Sequence, residues 1–287
     1  MKLLGLLGHP LGHSVSPALQ QAALDHLELD MRYEVWDVEP AQLAAFVARL
    51  RRPDYVGANV TIPYKEVVLG LVDEVDDFAR RVGAMNTIVN RNGRLLGYNT
   101  DAPGFLRALK EDGGFAARAK RVVVLGAGGG AKGVCFALAG EGVSAITIAN
   151  RTVERARGLA VQLQGLGPKV EAISLADVAR PLAQCHLLVN CTSVGMWHGA
   201  AEAASPLAQE LIPPNILAFD LVYNPAVTPF LRAAQARGAR TFGGLPMLVY
   251  QGAEAFRLWT GREAPVDIMM AAARKALNEL AMKGTGR

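Results

Sequence analysis

Val122-Val123-Val124-Leu125-Gly126-Ala127-Gly128-Gly129-Gly130-Ala131 is the stretch that decides the architecture. Its β-branched run, stopped by a glycine, reads as a buried strand. Val134, Ala137 and Leu138 follow at three- and four-residue spacing, one face of a helix. Between strand and helix lies Gly126-x-Gly128-x-x-Ala131. The first glycine permits a tight turn, and the second lets backbone approach a pyrophosphate. The small third residue lets helix pack on strand, and the helix N-terminus attracts phosphate. A lone glycine motif is weak evidence, but here the required strand and helix flank it. Gly126, Ala127, Gly128, Gly129 and Gly130 are therefore expected to cradle a dinucleotide.

The next strand, Ala145 to Ala149, sharpens that expectation. A site for NAD usually places Asp or Glu at this strand tip, about 20 residues on, to hold the ribose hydroxyls. Here the tip reads Asn150-Arg151-Thr152, with Arg155 one turn later and no carboxylate at the tip. Arg151 offers a planar, permanently charged fork for a 2′-phosphate, and Arg155 a second. Thr152 can cap the following helix and donate to phosphate. NADP is the expected cofactor.

Working outward, Val153 to Leu163 reads as a helix, and Val170–Ile173, Leu187–Val189 and Leu217–Phe219 as further short strands. Such alternation builds a parallel sheet with crossover helices. Toward the N-terminus, Lys2–Leu7, Tyr33–Val38 and Tyr55–Val60 read as strands, and Pro17–Leu27 and the segment from Pro40 to Leu50 as helices. Asn86–Asn90 and Arg94–Tyr98, joined by Asn92-Gly93, read as a hairpin. Leu245–Thr260 and Val266–Met282 have helical patterns. The expected class is α/β with two domains. Residues 1–101, completed by C-terminal helices 241–287, form an α/β substrate-binding domain. Residues 102–240 form a Rossmann-type, doubly wound parallel-sheet NADP domain.

The 287 residues suit two domains, and 51% hydrophobic with 20% charged residues is the balance of a folded chain. Cys135, Cys185 and Cys191 lack any C-x-x-C spacing, which excludes a disulfide scaffold and suits reduced, buried thiols. His9, His13, His26, His186 and His198 show no ligand spacing, so no metal site is expected. The apolar run after Met1 stops at Gly8-His9-Pro10, short of the roughly 7–15 residues of a signal sequence core. The longest stretch without charge, Pro181 to Ala201, carries Gln184, His186, Asn190, Thr192, Ser193 and His198, costly in lipid. No membrane span is expected, and the cytoplasm is the default compartment. A net charge of +4 suits anionic small ligands; Arg51-Arg52 and Arg80-Arg81 are short, lack interleaved aromatics and do not suggest nucleic acid.

Polar residues stand at unusual places in the first third. In His13-Ser14-Val15-Ser16-Pro17, Ser16 is a natural N-cap with Pro17 at N1, which leaves the Ser14 hydroxyl for a ligand. Two hydroxyls at a helix N-terminus suit a carboxylate. In Asn59-Val60-Thr61-Ile62-Pro63-Tyr64-Lys65, alternation puts Asn59 and Thr61 on one face. Asn86-Thr87 opens the hairpin and Asn99-Thr100-Asp101 leaves it, with Asp101 also expected to cap the next helix.

At this point the chain resembles the shikimate dehydrogenase family, NADP-linked enzymes of aromatic amino-acid biosynthesis. The matching segments are Gly12–Pro17, Gly57–Lys65, Gly83–Thr87, Gly97–Asp101, Gly126–Gly129, Asn150–Thr152 and Gly244–Gln251, in family order over nearly the whole chain. The resemblance implies reversible reduction of 3-dehydroshikimate to shikimate, with Lys65 and Asp101 as the catalytic pair. It implies that Ser14 and Ser16 hold the substrate carboxylate, with Tyr223 assisting, and that Asn59, Thr61, Asn86, Asp101 and Gln251 bind ring oxygens. It implies that Leu221 and Gly244 lie along the nicotinamide through backbone, with Asp77 near the cofactor. A homodimer is compatible with it. The sequence departs from the family pattern at Ala102-Pro103-Gly104 after Asp101 and at Gly243-Gly244, both of which bear on loop geometry.

Chemistry supports the pair: ketone reduction by hydride needs a proton source, and an ammonium meets the developing alkoxide. Two alternatives remain open at this stage. One is a quinate/shikimate dehydrogenase of broader specificity, which Arg151 and Thr152 weigh against. The other is a non-catalytic sensor of NADP or shikimate, which would not need both Lys65 and Asp101.

Overall fold

A computed structural model describes all residues except 13, 198 and 285–287. In chain order the elements are β1 (Lys2–Gly8), α1 (Ser16–His26), β2 (Met31–Asp37), α2 (Leu43–Arg49), β3 (Gly57–Val60), β4 (Glu74–Val75), α3 (Asp77–Val82), β5 (Thr87–Arg91), β6 (Arg94–Tyr98), α4 (Asp101–Glu111), β7 (Arg121–Leu125), α5 (Gly129–Gly140), β8 (Ala145–Asn150), α6 (Val153–Gln162), β9 (Lys169–Ser174), α7 (Ala179–Leu182), β10 (Leu187–Asn190), β11 (Leu217–Asp220), α8 (Pro229–Ala236), β12 (Arg240–Phe242), α9 (Leu245–Thr260) and α10 (Val266–Gly284). They fall into two units, Met1–Gly104 with Leu248–Arg287, and Phe105–Met247.

The first unit holds a six-stranded sheet ordered β2-β1-β3-β5-β6-β4. β1 runs parallel to β2 and β3, whereas β5 pairs antiparallel with both β3 and β6. Asn92 and Gly93 both adopt positive φ, 54° and 88°, as a two-residue hairpin turn demands. Gly93 N donates to Asn90 Oδ1 at 2.8 Å and closes that turn. Leu7, Leu50, Met85, Ile88 and Leu95 are fully buried in the core beneath. Each such side chain contributes about 1.5–3 kcal/mol.

The second unit is an all-parallel sheet ordered β12-β11-β10-β7-β8-β9. That is the doubly wound dinucleotide order, and it reverses between β7 and β10. β10 and β7 are buried almost end to end, as a strand covered on both faces must be. Val123, Leu125, Leu188, Ala218 and Phe230 form part of its core. No helix among the described residues is long and apolar enough to cross a membrane.

Several local expectations need correction. α1 begins at Ser16 itself, with Val15 at the cap position and no side-chain cap bond. Ser14 Oγ instead accepts from Ser16 N at 3.2 Å, so the backbone bond at the helix start falls to Ser14 rather than to Ser16. Asp101 is the first residue of α4 rather than its cap. Asn99 Oδ1 does that work, accepting from Asp101 N at 3.1 Å and Ala102 N at 3.3 Å. Thr152 occupies the cap position of α6, but its hydroxyl makes no cap bond. The strand expected over Tyr55–Val60 shortens to β3, with Tyr55 making only an isolated bridge to Leu3. The helix expected from Pro40 starts as a 3₁₀ turn, Pro40–Gln42.

Candidate active site

In the first unit, the end of β3, the hairpin and the starts of α4 and α9 bring a polar cluster together. Lys65 Nζ donates to Asp101 Oδ2 at 2.6 Å, with side chains 19% and 6% exposed. A charge-assisted contact of that length, shielded from water, fixes the ammonium's position. Asp101 Oδ1 accepts from Asn86 Nδ2 at 2.9 Å, and the same amide nitrogen reaches Gln251 Oε1 at 3.0 Å. Asn86 Oδ1 accepts from Thr100 N at 2.7 Å. Asn86 thus holds Asp101 and Gln251 as one unit. The close approach of α4 to α9 depends on Gly104, where an added Cβ would lie 2.6 Å from Gln251 N.

Asn59 is anchored on both ends. Tyr33 Oη donates to Asn59 Oδ1 at 2.8 Å, and Asn59 Nδ2 reaches Thr87 Oγ1 at 3.3 Å. Burial pushes the Tyr33 hydroxyl well above its ordinary range, so it remains a donor. Thr61 is half-buried just beyond β3, its N–H donating to Leu7 O at 2.9 Å. Among the described residues, no hydrogen bond ties Ser14, Ser16 or Thr61 to the Lys65–Asp101 cluster. The segment from His9 to Leu11 is held by Asp37, which accepts from Leu11 N at 3.0 Å and bonds His9 Nδ1 at 2.6 Å. Those contacts hold the Asp37 carboxyl below its usual range, the Leu11 N–H first and His9 second. Asp77 heads α3 with an exposed carboxylate 3.3 Å from Arg80 Nη1. His13, read as structural, and His198 lie outside the described residues.

In the second unit, the glycine turn has the shape a pyrophosphate needs. Gly126 adopts φ 107°, and an added Cβ would press on Thr192 Cγ2 at 3.2 Å. At Gly128 an added Cβ meets nothing within 4 Å, so backbone faces open space. Ala131 is fully buried, and the start of α5 has no side-chain cap. At the β8 tip, Asn150 Nδ2 donates to Thr152 O at 2.8 Å and holds the turn. Arg151, Thr152 and Arg155 are exposed, whereas Glu154 is engaged by Arg157 at 3.4 Å. Leu221 and Gly244 meet so closely that an added Cβ on Gly244 would lie 2.2 Å from Leu221 O. Tyr223 is half-buried in this unit. Sequence reasoning missed the anchoring role of Tyr33 and named Asn99 without its capping role, and it did not single out Asn190, Asp220 or Thr228 as a polar group in the second unit. Asn190 and Asp220 end apolar strands with a polar residue, the same signal that singled out Asn59.

A doubly wound sheet with a glycine cradle and a basic strand tip, in a chain whose other unit presents a lysine–carboxylate pair, defines a pyridine-nucleotide-linked oxidoreductase. Residues 6–88 match the shikimate dehydrogenase substrate binding domain, 109–227 the shikimate / quinate 5-dehydrogenase family, and 244–274 the shikimate 5′-dehydrogenase C-terminal domain. The chain is 47% identical over 278 residues to the NADP(+) shikimate dehydrogenase of Moorella thermoacetica, covering 96% of this chain and 93% of that one. The shikimate 5-dehydrogenase of Thermus thermophilus, solved with NADP(H) and shikimate, aligns with TM-score 0.85 and 43% identity over 96% of this chain and 100% of that one. Quinate dehydrogenase of Corynebacterium glutamicum, solved with NAD, aligns with TM-score 0.87 and 32% identity over 96% and 99%. The chain belongs to the shikimate dehydrogenase family.

Proposed function

We propose that the chain catalyses the reversible, NADPH-dependent reduction of 3-dehydroshikimate to shikimate. The observation that carries this reading is the 2.6 Å contact of Lys65 Nζ with an Asp101 carboxylate itself held by Asn86. When bound, the dinucleotide supplies the hydride. Lys65 Nζ meets the ketone oxygen as negative charge develops on it and gives up a proton to it, while Asp101 Oδ2 orients the ammonium. In the oxidative direction the same pair receives the proton. Asn59, Thr61, Asn86, Asp101 and Gln251 face the ring oxygens. Ser14 and Ser16 take the carboxylate, with Tyr223 assisting. Ser14 suits that task, because its oxygen accepts from Ser16 N while its O–H stays available to donate.

The cofactor is held by Gly126, Ala127, Gly128, Gly129 and Gly130 at the pyrophosphate. Asn150, Arg151, Thr152 and Arg155 take the 2′-phosphate side, Leu221 and Gly244 the nicotinamide, and Asp77 a peripheral place. The open space at Gly128 and the exposed arginines fit NADP. The protein is placed in the cytoplasm, working on small molecules alone, and a homodimer is its expected assembly. The deciding experiment measures NADP⁺ reduction with shikimate, then with quinate, and repeats both with NAD⁺. Turnover with shikimate and NADP⁺ is the expected preference. Equal or better turnover with quinate or NAD⁺ would assign the broader quinate/shikimate activity, and no turnover with any pair would leave a sensor.

A further inference from the structure

Asp220 ends β11 fully buried, and the chemistry described so far does not use it. It lies opposite Asn190 in the parallel register of β10 and β11. Asp220 Oδ1 accepts from Asn190 Nδ2 at 2.9 Å and from Val222 N at 3.0 Å. Oδ2 accepts from Thr228 Oγ1 at 2.6 Å. Thr228 also accepts from Leu231 N at 3.2 Å and so caps α8. Asn190 Oδ1 accepts from Thr192 N at 3.0 Å and Thr192 Oγ1 at 2.7 Å.

Every hydrogen-bond partner of this carboxylate among the described residues is neutral. The Cys191 thiol lies close enough to feel both this carboxylate and the Cys135 thiol, and burial pushes both thiols up, so they are uncharged near neutrality. Burial raises Asp220 to about 6, against the hydrogen bonds from Thr228, Val222 and Asn190, so the group is still ionised at pH 8. The result is a buried anion whose hydrogen-bond partners among the described residues include no cation. Its bond to Val222 N places it under the Leu221–Val222 turn, and Gly244 N donates to Val222 O at 3.3 Å on the same turn. Leu221 and Gly244 are the pair read above as lining the nicotinamide.

We propose that the Asp220 carboxylate is an electrostatic selector of cofactor oxidation state, favouring the cationic nicotinamide of NADP⁺ over the neutral ring of NADPH. The inference rests on the assignment of Leu221 and Gly244 to the nicotinamide. A fixed charge in a low-dielectric interior acts strongly on a nearby charge and hardly on a neutral ring. Tighter holding of NADP⁺ pulls the bound reactants toward shikimate when the enzyme works as a reductase.

Calorimetric titration of the intact protein with NADP⁺ and with NADPH, each without substrate at pH 8, tests this. Asp220→Asn keeps shape and removes charge. It should weaken NADP⁺ on the order of tenfold relative to NADPH, leaving adenosine 2′,5′-bisphosphate, which lacks the nicotinamide, unchanged. Thr228→Val removes a hydrogen bond but keeps the charge, and should leave the NADP⁺/NADPH ratio where it is. An unchanged ratio in Asp220→Asn overturns the proposal, as does an equal change in Thr228→Val, which would make packing the cause. If Asp220→Asn does not fold, wild-type protein at pH 5 should show the same drift of the ratio, because the 2′-phosphate is common to both dinucleotides and cancels; a constant ratio there also overturns it. Wild-type protein binding neither dinucleotide would instead defeat the cofactor reading itself, an outcome separate from an unchanged ratio.

Discussion

Lys65 and Asp101 stand 36 residues apart in sequence and 2.6 Å apart in space. Lys65 follows β3 and Pro63, and its carbonyl is tied to Met85 N at 2.8 Å, so both its backbone and its head are fixed. A pre-positioned ammonium stabilises the oxyanion without reorganising at the moment of reaction. Lys65→Met keeps the stem and removes the charge. It should lower turnover by roughly 10²–10⁴-fold, the scale of a positioned acid or base, while shikimate binding by calorimetry changes much less. Near-normal turnover would take Lys65 out of the mechanism. At the other ligand, Arg151 is exposed with no carboxylate of its own at the β8 tip. Arg151→Ala should weaken NADP⁺ by roughly 10–150-fold, a charge-assisted bond of about 1.5–3 kcal/mol, and NAD⁺ hardly at all. Equal loss of both would make Arg151 structural.

Elements place these residues, and the glycine turn between β7 and α5 separates fold from function most cleanly. Gly126 needs φ 107° and has Thr192 and Cys191 at its back; Gly128 has φ −90° and nothing behind it. Gly126→Ala should therefore cost stability, about 1 kcal/mol or more. Gly128→Ala should melt like wild type yet bind NADP⁺ poorly, because the new methyl fills the space the pyrophosphate uses. A matched loss of melting temperature in both variants would contradict this division. The same unit was the most legible in sequence: β7, β10 and β11 are apolar runs ended by polar residues or glycine, β8 is one broken only by Thr147, and α5 and α6 follow at helical spacing. β4 and β12 were not legible, being two and three residues long with no buried hydrophobic stripe. Thr228-Pro229 carried a full helix-start signal for α8, a cap and a proline at N1, and went unread. The swap of Ser14 and Ser16, and of Asn99 and Asp101, had no sequence signal, since which of two neighbouring polar groups meets a backbone N–H depends on local φ and ψ. The Lys65–Asp101 pairing was reached through family resemblance; spacing alone does not bring residues 36 apart together.

At the scale of the whole molecule, the question is what the buried charge of Asp220 does to stability across pH. Both cores are apolar, and the mixed surface pairs, such as Arg107 with Glu111 and Lys110 with Glu141, are exposed enough to contribute little. Asp220 differs, because burial raises its carboxyl from 3.8 to about 6 in the folded chain. Between those values the folded chain binds a proton that the unfolded chain releases, so stability falls as pH rises through the window. Above about pH 6 the full cost of holding the ion in the interior is present; below about pH 4 it has vanished. Asp220→Asn carries no such charge and escapes the cost. The stability of the variant relative to wild type should therefore shift in its favour by about 3 kcal/mol between pH 4 and pH 7. For a chain of this length that is a relative gain in melting temperature on the order of 5 °C. Urea unfolding of both proteins at pH 4, 5, 6 and 7 checks it, with the difference plotted against pH. A flat difference would mean that the carboxyl titrates alike in folded and unfolded chains. A difference that moves in favour of wild type as pH rises would mean that the hydrogen bonds from Asn190, Val222 and Thr228 outweigh burial and hold the group below 3.8. The expected sign, with the variant gaining on wild type as pH rises, ties stability to ligand selection: the carboxylate whose ionisation costs the fold stability is the one assigned to distinguish NADP⁺ from NADPH.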